Sequence, residues 1–330
     1  MRYKIKDIEL ANISRFRGEL MGSAMLFIIL FHVGLPRTDL FFGLRRCGNI
    51  GVDIFLFLSG IGLWFSWVKQ PSTWSFYRRR LLRILPAWLI MASLYYIPRF
   101  NPQTGSIIDL IGNITINWNF WLHDELTFWY IPAIMMLYLW APPYMKLITK
   151  HPIYRWSVVL MVLWCVMVQW IIPVHHAVGH LEIFWSRVPI FFLGINFGEM
   201  VRREVRIDGA AVWLALITFV ACFASCIYLE QVSHGRFPLF VERMIYIPLT
   251  LTAILLLNRI FRRLPQRVNR FWAFFGGLSL EAYLIHNHFV MAWLSPYHLG
   301  YWPTSLLTIV LTIPLAWLLH QFVKRLLQWL

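Results

Sequence analysis

The chain has 330 residues, of which 59% are apolar and only 14% charged, and it carries a formal net charge of +15. Soluble domains hold about 25% charged and roughly 45–50% apolar residues, so an ordinary soluble enzyme, a disordered chain and a disulfide scaffold are excluded. The apolar residues fall in long runs and do not alternate. That pattern excludes a transmembrane barrel and predicts an all-α, polytopic transmembrane helical bundle.

A membrane-spanning helix needs about 20 apolar residues. Ten such runs follow one another, over about 18–36, 49–68, 81–98, 126–145, 154–173, 183–201, 209–229, 239–258, 271–294 and 303–323. Proline, glycine or charge clusters at 37–39, 69–71, 146–152, 202–208 and 259–270 punctuate them. The stretch 107–122 is partly apolar but rich in Asn, and is expected to be amphipathic or re-entrant, not an eleventh span. The first run follows basic residues and reads as a retained helix, with no cleavable signal peptide. Of Cys47, Cys165, Cys222 and Cys226, three lie inside apolar runs, so neither a disulfide framework nor a zinc pattern is expected. Loops are short, and residues 1–330 read as one integral-membrane domain.

The basic residues orient the bundle. With the N-terminus inside, the tails and even-numbered loops hold 23 of the 30 Lys and Arg residues, among them Arg2, Lys4, Lys6, Arg17, Arg78–Arg80, Arg83 and Arg259–Arg270. Arg37, Arg45, Arg46, Arg99, Arg187, Arg236 and Arg243 fall on or near the other side. This bias predicts ten spans with both termini cytoplasmic, and it accounts for the basic composition without a nucleic-acid partner. The many Trp and Tyr residues suit anchoring at the headgroups.

Ionisable groups inside apolar runs cost several kcal/mol unless they meet a cavity or a partner, about 3 kcal/mol on insertion scales. They are His32, Asp53, Glu281, His286 and His288, with Arg187 at a helix start. A neutral imidazole is the cheapest of these to bury and works as a base near neutral pH. His32 therefore reads either as a catalytic base or as a hydrogen-bonded strut between helices. Asp53 either orients an imidazole or caps its helix. Arg80 and Arg83 are three apart and share a helix face. Such a pair is a topology signal, or a fork for the phosphates of a cofactor.

The stretches around His32, Gly51-Val52-Asp53-Ile54-Phe55-Leu56-Phe57-Leu58-Ser59-Gly60 and Arg80-Leu81-Leu82-Arg83-Ile84-Leu85-Pro86 resemble the acyltransferase 3 family of integral-membrane acyltransferases. So do Phe128-Trp129-Tyr130-Ile131-Pro132-Ala133, Arg187-Val188-Pro189-Ile190-Phe191-Phe192-Leu193-Gly194 and Gly276-Gly277-Leu278-Ser279-Leu280-Glu281-Ala282-Tyr283-Leu284-Ile285-His286. The resemblance implies O-acyl transfer in a bacterial plasma (inner) membrane. The donor is acetyl-CoA from the cytoplasmic side, and the acceptor is a carbohydrate hydroxyl of an envelope or surface polysaccharide or its lipid-linked precursor. It implies His32 as the catalytic residue, with Asp53 or Glu281 as candidate helpers. It also implies Arg80 and Arg83 at the CoA phosphates. The family often has Arg eleven residues before the His. Here that position is Met21, and Arg17 lies one turn further back as the candidate replacement. No metal is implied, and the periplasmic esterase-like domain of larger relatives is not expected.

Three other readings remain open on sequence grounds: a multi-span transporter with polar midplane residues, a bis-His haem protein using His32 with His286 or His288, and a metal site at His175, His176, His180 and Glu182. Asn12 and Asn113 match the glycosylation sequon, a weak signal. The topology has a direct test. Single cysteines placed at Ser233 and Gly300 are expected to react with an impermeant thiol reagent in intact cells, and ones at Thr73 and Gln266 are not. Uniform labelling of the second pair contradicts the orientation.

Overall fold

The computed structural model describes residues 8–103 and 105–328. Arg2, Lys4 and Lys6, which enter the charge count above, lie outside the described residues. All ten apolar runs are helical. The long helices are α1 (Arg17–His32), α2 (Ile50–Lys69), α3 (Thr73–Tyr96), α4 (Tyr130–Lys150), α5 (Ser157–Trp170), α6 (Val188–Arg202), α7 (Gly209–Gln231) and α8 (Leu239–Phe261). The ninth run is split into α9 (Gln266–Gly277) and α10 (Ser279–Ile285), and α11 (Tyr301–Leu326) follows. A two-residue ribbon, β1 (Ile8–Glu9) antiparallel to β2 (Arg206–Ile207), ties the segment before α1 to the loop after α6.

Several boundaries depart from the expectation for physical reasons. The third run begins eight residues early, at Thr73, because the Ser72 side chain accepts from the Ser75 amide at 3.3 Å and caps the helix. Arg78–Arg80, expected just before the run, are therefore helical, and Arg80 and Arg83 lie on one helix. The 107–122 stretch forms two short helices, Ile107–Ile116 and Trp118–His123, broken at Asn117 in the left-handed conformation (φ 50°). Ten residues at about 1.5 Å each cover only half of a hydrocarbon core of about 30 Å. The ninth run stops at Gly276-Gly277, poor helix formers. It restarts at Ser279 and passes into a π-helical turn over His286–Met291.

Among the described residues, seven helices are long and apolar enough to cross a membrane, and the bent pair Ile172–Trp185 and Val188–Arg202 makes an eighth. The two runs that fall short are α1, with 16 residues, and the broken α9–α10. These two pack against each other, and they carry His32 and His286.

α2 is the hub of the bundle. The apolar window of Phe42–Lys69 is 83% buried within the protein, against 11% for the Pro152–Trp170 window, which turns outward. α2 lies between α1 and α6, and a Cβ at Gly194 of α6 would fall on the Phe57 backbone of α2. α1 meets α9 in the same way. A Cβ at Gly276 would overlap the Gly18 carbonyl and come within 2.8 Å of the Gly22 amide. Small residues at such crossings let backbones touch, which drives association where no hydrophobic force acts between helices.

Overpacking a tight contact costs about 1–3 kcal/mol. Gly276→Val is therefore expected to lower the Tm of the detergent-solubilised protein by several degrees. Gly277→Ala, whose Cβ meets nothing within 4 Å, is expected to leave it unchanged. Equal Tm values for the two variants contradict the assigned contact.

Candidate active site

His32 is the last residue of α1. Its Nδ1 lies 2.8 Å from the Ile28 carbonyl oxygen and 3.2 Å from Nε2 of His286. The two rings stand nearly edge to face, with centroids 4.9 Å apart. His286 opens the π-helical turn, and its Nδ1 sits 3.0 Å from the Ala282 carbonyl and 2.9 Å from the Tyr283 carbonyl. π turns of this kind recur at functional sites because the extra residue re-aims the side chains that follow. His288 is not part of the pair. Its ring packs 4.3 Å from that of Phe128 and 5.2 Å from that of Tyr95.

The end of α1 is held from the opposite side. Arg45 Nη1 donates to the Phe31 and Val33 carbonyls at 2.8 and 2.9 Å, and the Tyr301 hydroxyl donates to Leu30 at 3.2 Å. A cation on the free carbonyls of a helix C-terminus is favourable, and here it brackets His32.

A narrow cavity of about 70 Å³, with arginines and tyrosines set among apolar side chains, runs along α1. Arg17, Arg80 and Arg83 line one end, and Ile28 and Tyr283 the other. Ile28 and Tyr283 are also the residues whose carbonyls contact the two histidines. The structure thus brings Arg17 together with Arg80 and Arg83, and Met21 lines the same wall one turn on. The Arg17 guanidinium packs over Gly62, and that of Arg80 lies 5.8 Å from the Phe76 ring and 5.9 Å from the Tyr138 ring. The Nε atoms of Arg17 and Arg80 are buried without a hydrogen-bond partner. Among the described residues, none of the three arginines has a carboxylate within 4.0 Å. A buried Nε without a partner is costly, so an anion entering between Arg17 and Arg80 removes that cost, with the exposed Arg83 beside them.

Asp53 and Glu281 stand elsewhere. Asp53 Oδ2 lies 3.9 Å from Arg187 Nε, and Arg187 also donates to Asn49 Oδ1 at 3.1 Å and the Ile183 carbonyl at 3.2 Å. Glu281 binds Nδ1 of His320 at 2.7 Å and so links α10 to α11. Neither carboxylate has a hydrogen bond to His32. Further ion pairs, Arg46–Glu230 at 2.9 Å and Arg243–Glu182, join the helices near the end of the bundle that holds Asp53.

The metal and haem readings meet a different arrangement. His175 and His180 engage the Val168 and Trp121 carbonyls at 3.1 and 3.0 Å, and Glu182 pairs with Arg243. Among the described residues, no three His, Cys, Asp or Glu side chains converge. His32 and His286 bond each other directly, with no space for an iron between the facing nitrogens. Both sequon asparagines are buried, and each accepts a local hydrogen bond: Asn12 from Arg15 at 3.2 Å, Asn113 from the Asn119 amide at 3.0 Å. A wider void, about 540 Å³ between α1, α7, α8 and α11, is apolar apart from Arg45 and Tyr301 and lacks the groups for transfer chemistry.

Sequence reasoning set His32 beside His286 or His288 only as haem ligands and did not foresee the direct contact between the His32 and His286 rings. It also missed the aromatic wall made by Tyr130, Tyr138 and Tyr283, in which Ser59 Oγ lies 3.0 Å from the Tyr138 hydroxyl. Tyr130 and Tyr283 do fall in the quoted motifs, which was the available signal.

A family profile described as an acyltransferase domain matches residues 22–321. The chain belongs to the acyltransferase 3 family. This acyltransferase is also similar to a protein of Caenorhabditis elegans, "Regulator of hypoxia-inducible factor 1", at 30% identity over 168 residues, or 39% of this chain and 33% of that protein. The chain therefore matches about a third of the length of that curated relative. No solved structure matches this acyltransferase. Family membership and the apolar helices make the protein an integral-membrane acyltransferase.

Proposed function

We propose that this acyltransferase moves an acetyl group from cytoplasmic acetyl-CoA to a hydroxyl of an envelope or surface polysaccharide, or of its lipid-linked precursor, in a bacterial plasma membrane. The observation that carries the reading is one cavity with two unlike ends. At one end are three unpaired arginines, two with buried orphan Nε atoms. At the other are Ile28 and Tyr283, the residues whose carbonyls contact the paired imidazoles of His32 and His286. Guanidinium forks suit phosphate oxygens, so Arg17, Arg80 and Arg83 are the residues that would hold the CoA phosphates. From Arg17 to His32 is fifteen residues of helix, about 22 Å at 1.5 Å each. That length calls for a donor with a long arm between its charged head and its reacting carbonyl.

His32 is the general base of this reading. Its imidazole takes the proton of the acceptor hydroxyl as the oxygen attacks the thioester carbonyl. Collapse of the tetrahedral intermediate breaks the C–S bond, and the imidazolium returns the proton to the departing thiolate. Asp53 and Glu281 are proposed as structural groups, Asp53 beside the Arg187 guanidinium and Glu281 bonded to His320. The transporter reading has no such observation in its favour.

Two classes of variant test this. Arg17→Ala, Arg80→Ala and Arg83→Ala are each expected to raise KM for acetyl-CoA, with partial rescue by Lys, while Arg263→Ala controls for general basic charge. His32→Gln is expected to insert and to bind acetyl-CoA normally, yet to lose roughly 10²–10⁴-fold in kcat. Near-normal turnover by His32→Gln contradicts the base assignment. Absence of acetyl-CoA-dependent turnover with any carbohydrate acceptor contradicts the proposed reaction.

A further inference from the structure

Which nitrogen of His32 does the chemistry follows from the acceptors around the pair. His286 Nδ1 faces two carbonyl oxygens, of Ala282 and Tyr283, at 3.0 and 2.9 Å. A bare nitrogen there would set three lone pairs against one another, so Nδ1 carries the hydrogen. A neutral imidazole has one N–H, and a second proton is disfavoured for a side chain only 1% exposed among apolar helices. Nε2 of His286 is therefore an acceptor. His32 Nδ1 in turn lies between the Ile28 carbonyl and that Nε2, at 2.8 and 3.2 Å, and both are acceptors. His32 Nδ1 must carry its hydrogen too, which leaves the lone pair on Nε2.

We infer that His286 is a positioning residue for acyl transfer: together with the Ile28 carbonyl it holds His32 as the Nδ1–H tautomer with Nε2 left to take the hydroxyl proton, and it stabilises the imidazolium that forms. The inference rests on the proposed role of His32. The second ring nitrogen of a working histidine is commonly held by a carboxylate, which sets the tautomer and supports the positive charge. Here the two carboxylate candidates, Asp53 and Glu281, are engaged by Arg187 and His320. A neutral imidazole replaces them and brings no fixed charge into the hydrocarbon. As the acceptor oxygen loses its proton to His32 Nε2, the Nδ1–H···Nε2 bond to His286 becomes charge-assisted and strengthens. The proton on His286 Nδ1 stays shared between the two carbonyls, so no net proton leaves the pair. The proton taken by His32 returns to the thiolate.

The test uses the full-length protein in detergent, with labelled acetyl-CoA and a carbohydrate acceptor. His286→Phe keeps a ring but no acceptor, and is expected to lower kcat about ten- to hundred-fold, as for loss of a hydrogen bond to a group that becomes charged. KM for acetyl-CoA is expected to stay within about twofold, because the arginine end of the cavity is untouched. His286→Gln, whose amide oxygen still accepts, is expected to keep the larger share of kcat. In a His32→Gln background, His286→Phe is expected to cause no further loss, because a group acting only through His32 has nothing left to act on. The inference is overturned if His286→Phe keeps wild-type kcat, if Gln is no better than Phe, or if Phe costs the same factor with and without His32. Those results leave acyl transfer standing. A wild-type protein without turnover instead removes the proposed reaction and this role with it.

Discussion

The backbone contact between α1 and α9 fixes where both imidazoles stand. Gly18 and Gly22 face Ala273 and Gly276 so closely that a single added methyl at Gly276 meets a carbonyl. This proximity brings α10 and the π-helical turn alongside the last turn of α1, where His286 meets His32 at 3.2 Å. Arg45 and Tyr301 hold the same turn from the other side through the carbonyls of Phe31, Val33 and Leu30. A short helix and a broken one would be poor spanning elements alone. Packed together they give a rigid seat for two rings, and rigidity of that kind keeps a reacting nitrogen on target.

The charges divide into two populations. Asp53 with Arg187, Glu182 with Arg243, and Glu230 with Arg46 form paired clusters that join α2, α6, α7 and α8. Removing one partner of a buried pair leaves an uncompensated charge, which makes such clusters structural constraints. Arg17, Arg80 and Arg83 belong to no such pair. They share a cavity wall with tyrosines, and among the described residues none has a carboxylate within 4.0 Å. The contrast separates charges that finish the fold from charges that await a ligand.

Much of this was legible in the sequence. Runs of apolar residues about 20 long gave the ten helical segments, and the cost of burying ionisable groups singled out His32, Asp53, Glu281 and His286. Arg80 and Arg83 were legible as a pair through their spacing. Arg17 was legible only through its register one turn before Met21. What hydropathy does not encode is which ionisable groups meet. Asp53 lies in the first turn of α2, and only the bend before Val188 puts Arg187 beside it. Likewise His320 sits in an apolar run that carries no mark of Glu281. The break at Gly277 and the π turn escaped because a window of hydropathy averages across them. They decide the direction in which His286 points.

The central claim is that the arginine end and the histidine pair are the two ends of one donor site. The structure of the protein bound to a non-hydrolysable acetyl-CoA analogue tests it most directly. The account predicts phosphates within hydrogen-bond reach of Arg17, Arg80 and Arg83, the arm running past Tyr130 and Tyr283, and the acyl group beside His32 Nε2. A nucleotide bound away from these arginines, or an acyl group remote from His32 while the phosphates sit on them, contradicts it.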